Sequence, residues 1–222
     1  MKYYSVAIDG PAGSGKSTVA RRVAEHLGFT YVDSGAMYRA VAWQALNQSA
    51  DFHNDTEIEQ IAKELHFQLD KNGWLINGER IDSLLRSPQV SQYASNVAKT
   101  IGVRKILVAK QQEIASKNHV VMDGRDIGNH VLPHADVKIY LTASVEERAK
   151  RRLNEQQKRG YDGDLQLIMK EIERRDEQDQ TREISPLRQA SDAVRIDTTS
   201  RSVQQIVDEI VTICCTKMGG EE

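Results

Sequence analysis

Apolar positions in the first part of the chain alternate between a strand period and a helix period. Tyr4 to Ile8 reads as a strand, β-branched and aromatic, stopped by the turn signal Asp9-Gly10-Pro11. From about Lys16 the period becomes helical, with Val19, Ala20, Val23 and Leu27 on one face and Gly28 where a C-cap glycine belongs. Phe29 to Val32 is a second strand, ending at Asp33-Ser34-Gly35. Met37, Val41, Ala42 and Ala45 then mark another helix. A strand–helix–strand–helix opening predicts a parallel sheet in an α/β fold.

The middle of the chain breaks this alternation. Thr56-Glu57-Ile58-Glu59 has the form of a capping box opening a short helix. From His66 to Ile81 the pattern is a hairpin, Phe67-Gln68-Leu69 against Trp74-Leu75-Ile76, turned by Lys71-Asn72-Gly73 and followed by a second tight turn at Asn77-Gly78. Antiparallel strands within a parallel α/β chain predict a small inserted subdomain at 61–97. A helical pattern returns from Arg104 to Ser116, and His119 to Met122 is a buried-type strand ending at Asp123-Gly124-Arg125-Asp126. Val137 to Leu141 is another strand, followed by the capping box Ser144-Val145-Glu146-Glu147. A charged helix then carries Arg148, Lys150, Arg151, Arg152, Lys158 and Arg159 and breaks at Gly160 to Gly163. A second charged helix runs to about Arg182, a last strand spans Ala193 to Ile196, and a last amphipathic helix starts at Val203.

Composition narrows the function classes. The 222 residues suit one domain, 1–222, carrying an insertion. A net charge of −2, with both signs mixed along the chain, argues against nucleic acid or an anionic membrane as the main partner. The two cysteines, Cys214 and Cys215, are adjacent, so they make neither a disulfide framework nor a zinc site. With no apolar run long enough to span a bilayer, the expectation is a reduced, cytoplasmic protein.

The strongest chemical signal is Gly10-Pro11-Ala12-Gly13-Ser14-Gly15-Lys16-Ser17, a full G-x-x-x-x-G-K-[ST] match with a strand before it and a helix after. Such a loop turns backbone N–H groups around phosphate oxygens, and the helix N-terminus adds its positive end. Lys16 reaches the β- and γ-phosphates and the Ser17 hydroxyl ligates Mg²⁺. No guanine-reading N-K-x-D motif is present and the chain is too short for a motor, which leaves the compact kinases. Ligands of parallel α/β sheets sit beyond the carboxyl ends of the strands. Two polar groups fall there: Asp33-Ser34-Gly35, with Tyr38 and Arg39 just after, and Asp123-Gly124-Arg125-Asp126. Either alone could be a solvated turn; together beside a phosphate loop they favour an acceptor site. The basic helix after Ser144 has two readings, a solvated face with Glu147 and Arg151 paired at i,i+4, or a lid bringing arginines to the transferring phosphoryl group. Arg175 and Asp179, also i,i+4, have an exposed ion pair as their ordinary reading.

These segments, with Ile8-Asp9 before the loop, Asp33-Ser34-Gly35-Ala36-Met37-Tyr38-Arg39, Asp123-Gly124-Arg125-Asp126-Ile127-Gly128 and Glu173 through Pro186, resemble the bacterial-type cytidylate kinases over nearly the whole chain. The phosphate loop is shared by many families; the D-S-G-A-x-Y-R and D-G-R-D-[IM]-G segments are much more specific. The resemblance implies a five-stranded parallel sheet flanked by helices, with 61–97 as the nucleoside-monophosphate-binding insertion and 148–163 as the lid. It implies the use of Mg²⁺-ATP, bound by Gly10 to Thr18, to phosphorylate CMP or dCMP; a monomer is expected, although the sequence itself does not give the oligomeric state. Residues at the positions of Ser34, Arg104 and Asp126 contact cytosine in that family, and those of Arg39 and Arg125 hold the acceptor phosphate. The positions of Arg175 and Asp179 handle pentose and phosphate, and Arg182 lies near the nucleotide. With Lys16, Arg39 and Arg125 are then the catalytic residues. The acceptor oxygen is already anionic, so positioning and charge stabilisation suffice without a general base. Which of Arg148, Arg151, Arg152 or Arg159 serves the lid stays open, as does whether Asp33 or Asp123 supports a magnesium-bound water. Rival readings are a kinase of UMP or of an alcohol, and a binding module that uses ATP as a switch.

Overall fold

The computed structural model describes residues 2–70, 73–81, 84–158, 160 and 162–219. Lys71 and Asn72 of the expected hairpin turn, and Arg159 of the charged helix, lie outside the described residues. The elements run β1 (Ser5–Asp9), α1 (Lys16–Leu27), β2 (Thr30–Asp33), α2 (Ser34–Asn47), α3 (Asp55–Glu64), β3 (Phe67–Asp70) and β4 (Gly73–Ile76). They continue with α4 (Pro88–Val97), α5 (Ile101–Ala115), β5 (Val120–Asp123), β6 (Val137–Thr142), α6 (Val145–Gln157), α7 (Leu165–Thr181), β7 (Val194–Asp197) and α8 (Val203–Met218). The chain divides into two compact units, Met1–Tyr31 with Asn118–Glu222, and Val32–Lys117.

The first unit is organised by a sheet of order β2-β5-β1-β6-β7. Strand β1 pairs in parallel with both β5 and β6, and β6 with β7. Val6, Ala7 and Ile8 are buried on both faces of the sheet, which is why this run is continuously apolar rather than alternating. Helix α1 packs Val19, Ala20 and Val23 into a core shared with Ile206, Val207, Ile210 and Cys214 of α8. Truncating a fully buried Ile8 or Ile210 to alanine would cost about 2–5 kcal/mol through lost transfer energy and the cavity left behind. Gly28 ends α1 in the left-handed conformation (φ 67°), as its position after Leu27 predicts. Ile8 lies in register with Asp123, so β1 and β5 end side by side and bring the phosphate loop and the Asp123–Asp126 segment to the same edge of the sheet.

The second unit packs α2 against α3 and α4, and α3 against α5, beside the two-stranded β3–β4 hairpin. The Asn77-Gly78 turn is present, with both residues at positive φ (51° and 84°) and Ile76 and Glu79 exchanging backbone hydrogen bonds of 2.8 and 3.0 Å. Helix α3 is capped by Asn54, not Thr56: the Asn54 side chain accepts from the Glu57 N–H, and Thr56 falls within the first turn. Helix α4 is an element the periodicity did not reveal. Its signal is local, Ser87 accepting from the Val90 N–H at 3.2 Å and Pro88 at the first helical position. Helices α3 and α5 cross closely at Gly102, where an added methyl would lie 1.9 Å from the Glu59 carboxyl. That carboxylate sits at the first turn of α5, the end of a helix that favours negative charge.

Candidate active site

The phosphate loop joins β1 to α1. Gly10 (φ 148°) and Gly13 (φ 75°) lie at backbone angles that suit glycine, and a side chain at Gly10 would meet the Leu141 carbonyl oxygen at 2.0 Å. Lys16 is buried, and its Nζ donates to the Pro11 carbonyl at 2.7 Å. Burial holds this ammonium well below its ordinary pKa, with Arg125 adding to the effect and Asp123, Asp9 and Asp179 opposing it. The Ser17 hydroxyl donates to Asp123 Oδ2 at 3.0 Å, and the Tyr31 hydroxyl donates to the other oxygen, Oδ1, at 2.7 Å. Among the described residues no group of three or more His, Cys, Asp or Glu is assembled for a metal. A hydroxyl beside one carboxylate is nevertheless the donor set of a hard cation that completes its shell with phosphate oxygens and water. Thr18 follows in the first turn of α1.

The segment after β5 is tied back to β1. Asp9 accepts from the backbone N–H groups of Ile127 and Gly128, both at 2.8 Å. Burial raises the Asp9 carboxyl to about 6 against the pull of those two N–H groups, and Asp126 adds to the rise. Arg125 Nε donates to Asp179 Oδ2 at 2.9 Å, and Arg182 Nη2 lies 3.2 Å from Asp126 Oδ1. Asp179 is therefore buried rather than part of an exposed helix pair. Burial alone would raise its carboxyl, but Arg125, Arg175 and Arg182 hold it below the usual carboxylate range. Arg125 feels burial in the opposite sense, and the carboxylates of Asp179, Asp123 and Asp176 more than offset it. The first unit thus brings together the phosphate loop, Arg125, Asp126, Arg175, Asp179 and Arg182.

Helix α6 places its arginines unlike a solvated face. Arg148 is buried, donating to the carbonyls of Ala143 (3.0 Å) and Ala12 (3.1 Å) and to Asp176. Arg151 does make the expected pair with Glu147 at 3.0 Å, but it also donates to the hydroxyl and carbonyl of Thr198 at 2.9 and 2.7 Å. Thr198 in turn donates towards the Ser14 carbonyl at 3.2 Å, which makes it a phosphate-loop neighbour that no sequence motif announces.

The second unit holds Ser34, Arg39 and Arg104. Asp33 caps α2, accepting from the Ala36 N–H at 2.9 Å and from Arg39 Nη2 at 2.8 Å. Arg86 Nη2 approaches the same carboxylate at 3.9 Å. Burial would raise the Asp33 carboxyl, yet Arg39 and Arg86 keep it low. Asp33 is thus occupied as a cap and an arginine holder, while Asp123 is the carboxylate beside the loop serine. Trp74 Nε1 donates to the Asp33 carbonyl at 2.9 Å and fastens the hairpin to the end of β2. Ser34 and Arg104 are buried, and the Arg104 guanidinium lies 5.8 Å from the Tyr38 ring centroid. Arg86 escaped sequence reading because an arginine within a polar insertion carries no distinguishing spacing.

A parallel sheet with a complete phosphate loop at the end of its central strand, and arginine–carboxylate pairs gathered at that same edge, defines a P-loop phosphotransferase. The family model described as cytidylate kinase matches residues 6–216, and the chain belongs to that family. It is 49% identical to a cytidylate kinase from Bacillus velezensis over 216 residues, covering 96% of each chain. A cytidylate kinase from Bacillus cereus is 47% identical over the same length and coverage. Among solved structures, a gluconokinase from Sinorhizobium meliloti shares the fold at TM-score 0.51 and 13% identity, covering 97% of this chain and 94% of that one. Among the described residues no helix is long and apolar enough to cross a membrane.

Proposed function

We infer that this chain transfers the γ-phosphoryl group of ATP to CMP or dCMP, giving ADP and CDP or dCDP. The observation that carries the reading is the cytidylate kinase match across residues 6–216, with relatives at 47–49% identity over 96% of the chain. In the step proposed, an oxygen of the acceptor phosphate attacks the γ-phosphorus in line and the β–γ bridging oxygen leaves with ADP. Residues Gly10 to Thr18 bind the donor, and Lys16 stabilises the charge that spreads over the transferring group. The divalent ion is Mg²⁺; Ser17 and Asp123 would hold it, and it supplies neutralisation of the phosphate oxygens. Arg39 and Arg125 orient the acceptor phosphate, and Arg86, sharing Asp33 with Arg39, belongs with them. Ser34, Arg104 and Asp126 read cytosine, while Arg175, Asp179 and Arg182 handle the pentose and the nearby phosphate. The insertion 61–97 carries the acceptor and 148–163 closes over the donor. The same proposal has the protein act as a monomer in the cytoplasm.

The test is a coupled ADP-release assay over a panel of nucleoside monophosphates and small alcohols. CMP and dCMP should turn over, with UMP slower by about two decades, because two inverted hydrogen-bond contacts cost about 1–3 kcal/mol each. Preference for UMP or an alcohol would replace the substrate assignment. ATP binding with no transfer to any acceptor would make the chain a nucleotide-switched binding module instead.

A further inference from the structure

Arg148 lies one turn into α6, and its guanidinium is turned into the protein with only 5% of the side chain exposed. It donates through Nε to the Ala143 carbonyl and through Nη1 to both the Ala12 carbonyl and Asp176 Oδ2. Ala12 stands in the middle of the phosphate loop. The loop also rests on the helix at this point: a Cβ added to Gly13 would lie 3.0 Å from Arg148 Cβ and 3.1 Å from its carbonyl oxygen. A trans peptide is planar, so its C=O and N–H point in opposite directions. The peptide linking Ala12 to Gly13 is trans, as are all the described peptides. Holding the Ala12 carbonyl therefore fixes the direction of the Gly13 N–H. Inward-turned N–H groups are what such loops offer to phosphate oxygens.

Asp176 on α7 completes the arrangement. Its Oδ2 takes the bond from Arg148, while its Oδ1 is buried with no hydrogen-bond partner among the described residues. Arg148 thus supplies the hydrogen bond to this carboxylate, with Arg125 adding a longer-range attraction, and a planar guanidinium held at three points has little freedom left. The same α7 carries Arg175 and Asp179, and Asp179 holds Arg125.

We propose that Arg148 is a positioning residue for the phosphoryl donor, aiming the Gly13 N–H through the Ala12 carbonyl, with Asp176 locking Arg148 in place. Its positive charge is spent on two carbonyls and a carboxylate of the protein, so its effect on ATP passes through backbone direction. The proposal rests on the reading of Gly10 to Ser17 as the ATP-phosphate loop.

Asp176 separates this from a simple field effect. If only charge near the phosphates mattered, neutralising a nearby carboxylate would tighten ATP binding. If Asp176 locks Arg148, neutralising it loosens ATP. The experiment compares wild type, Arg148→Lys, Arg148→Met, Asp176→Asn and the double variant Arg148→Met/Asp176→Asn. Calorimetric titration with a non-hydrolysable ATP analogue and Mg²⁺, steady-state kinetics in ATP and CMP, and thermal melts are recorded for each. Arg148→Met should weaken the analogue about tenfold or more, as expected for losing a charge-assisted contact, while KM for CMP stays within about twofold. Arg148→Lys should recover part of the affinity, since a point charge replaces a fork. Asp176→Asn should bind the analogue more weakly than wild type. The double variant should melt higher than Arg148→Met, because the stranded carboxylate is gone, yet bind the analogue no better. Tighter or unchanged binding in Asp176→Asn would overturn the proposal. So would a fall in kcat in Arg148→Met with analogue affinity intact, which would put the guanidinium on the transition state itself. Should Arg148→Met not fold, Arg148→Lys and the double variant decide. A wild type that binds the analogue but phosphorylates no monophosphate would sink the kinase reading alone, leaving the binding comparisons to judge Arg148.

Discussion

Ser17 Oγ donates to Asp123 Oδ2 at 3.0 Å, joining the start of α1 to the end of β5 across 106 residues of sequence. The hydroxyl and the carboxylate are both hard oxygen donors, and they meet where the strands β1 and β5 end in register. Asp123→Asn should lower kcat by about 100-fold or more and raise the Mg²⁺ concentration needed for half-maximal rate. Titrating rate against Mg²⁺ in both proteins checks it, and chelation should abolish turnover. A variant with wild-type Mg²⁺ dependence would take Asp123 out of the metal site.

Lys16 is buried beside Pro11 with its ammonium strained towards neutrality by burial and by Arg125. Phosphate oxygens would relieve that strain and use its charge in the transition state. Lys16→Ala should therefore lower kcat by about 100-fold or more. Near-normal kcat with CMP would remove this lysine from the chemistry.

Asp126 stands 3.2 Å from Arg182 at the proposed cytosine contact. A carboxylate there accepts from the cytosine N4 amino group and repels uracil O4. Asp126→Ala should lose most activity on CMP and much less on UMP, narrowing the ratio of kcat/KM values. Both substrates must be measured on one preparation, with a melt to detect misfolding. An equal loss on both would assign Asp126 to holding Arg182 rather than to reading the base.

Asp9 gives stability a pH dependence of definite sign. Its carboxyl is raised from 3.8 to about 6 in the folded protein, so the folded state binds the extra proton between those values. The contribution is complete below about pH 4 and disappears as pH rises through 6, an amount on the order of 3 kcal/mol. Asp9→Asn lacks that titration. The melting-temperature gap between wild type and Asp9→Asn, wild type minus variant, should shrink from pH 4.5 to 7.5. A constant gap over that range would mean that Asp9 is not raised.

Local signals carried the fold a long way. Gly28, Asn77-Gly78, the Ser144 cap and the apolar run of β1 act within a few residues of sequence, and each appears where its chemistry requires. The phosphate loop is of the same kind, because a strand, a glycine-rich turn and a helix start are contiguous. Where two local signals competed, position within the turn decided: Asn54 capped α3 two residues ahead of the capping-box pattern, and the Ser87-Pro88 start of α4 was hidden in a polar insertion.

Sequence by itself therefore determined the donor loop, the alternation that builds the parallel sheet and, through its D-S-G-A-x-Y-R and D-G-R-D-I-G segments, the family it resembles. Tertiary structure alone decided which charges face inward. Arg148, Lys150 and Arg152 look alike in a charged helix, yet only packing of α6 on α7, around Ala149, Ile168 and Ile172, decides that Arg148 meets Ala12 and Asp176 while Lys150 pairs with Glu146 at the surface. The pairs Arg125 with Asp179, and Arg182 with Asp126, join residues 54 and 56 positions apart. No helical or strand period encodes such distances. A local pattern specifies the direction of a side chain relative to its own element, whereas an ion pair depends on where two elements stop relative to each other.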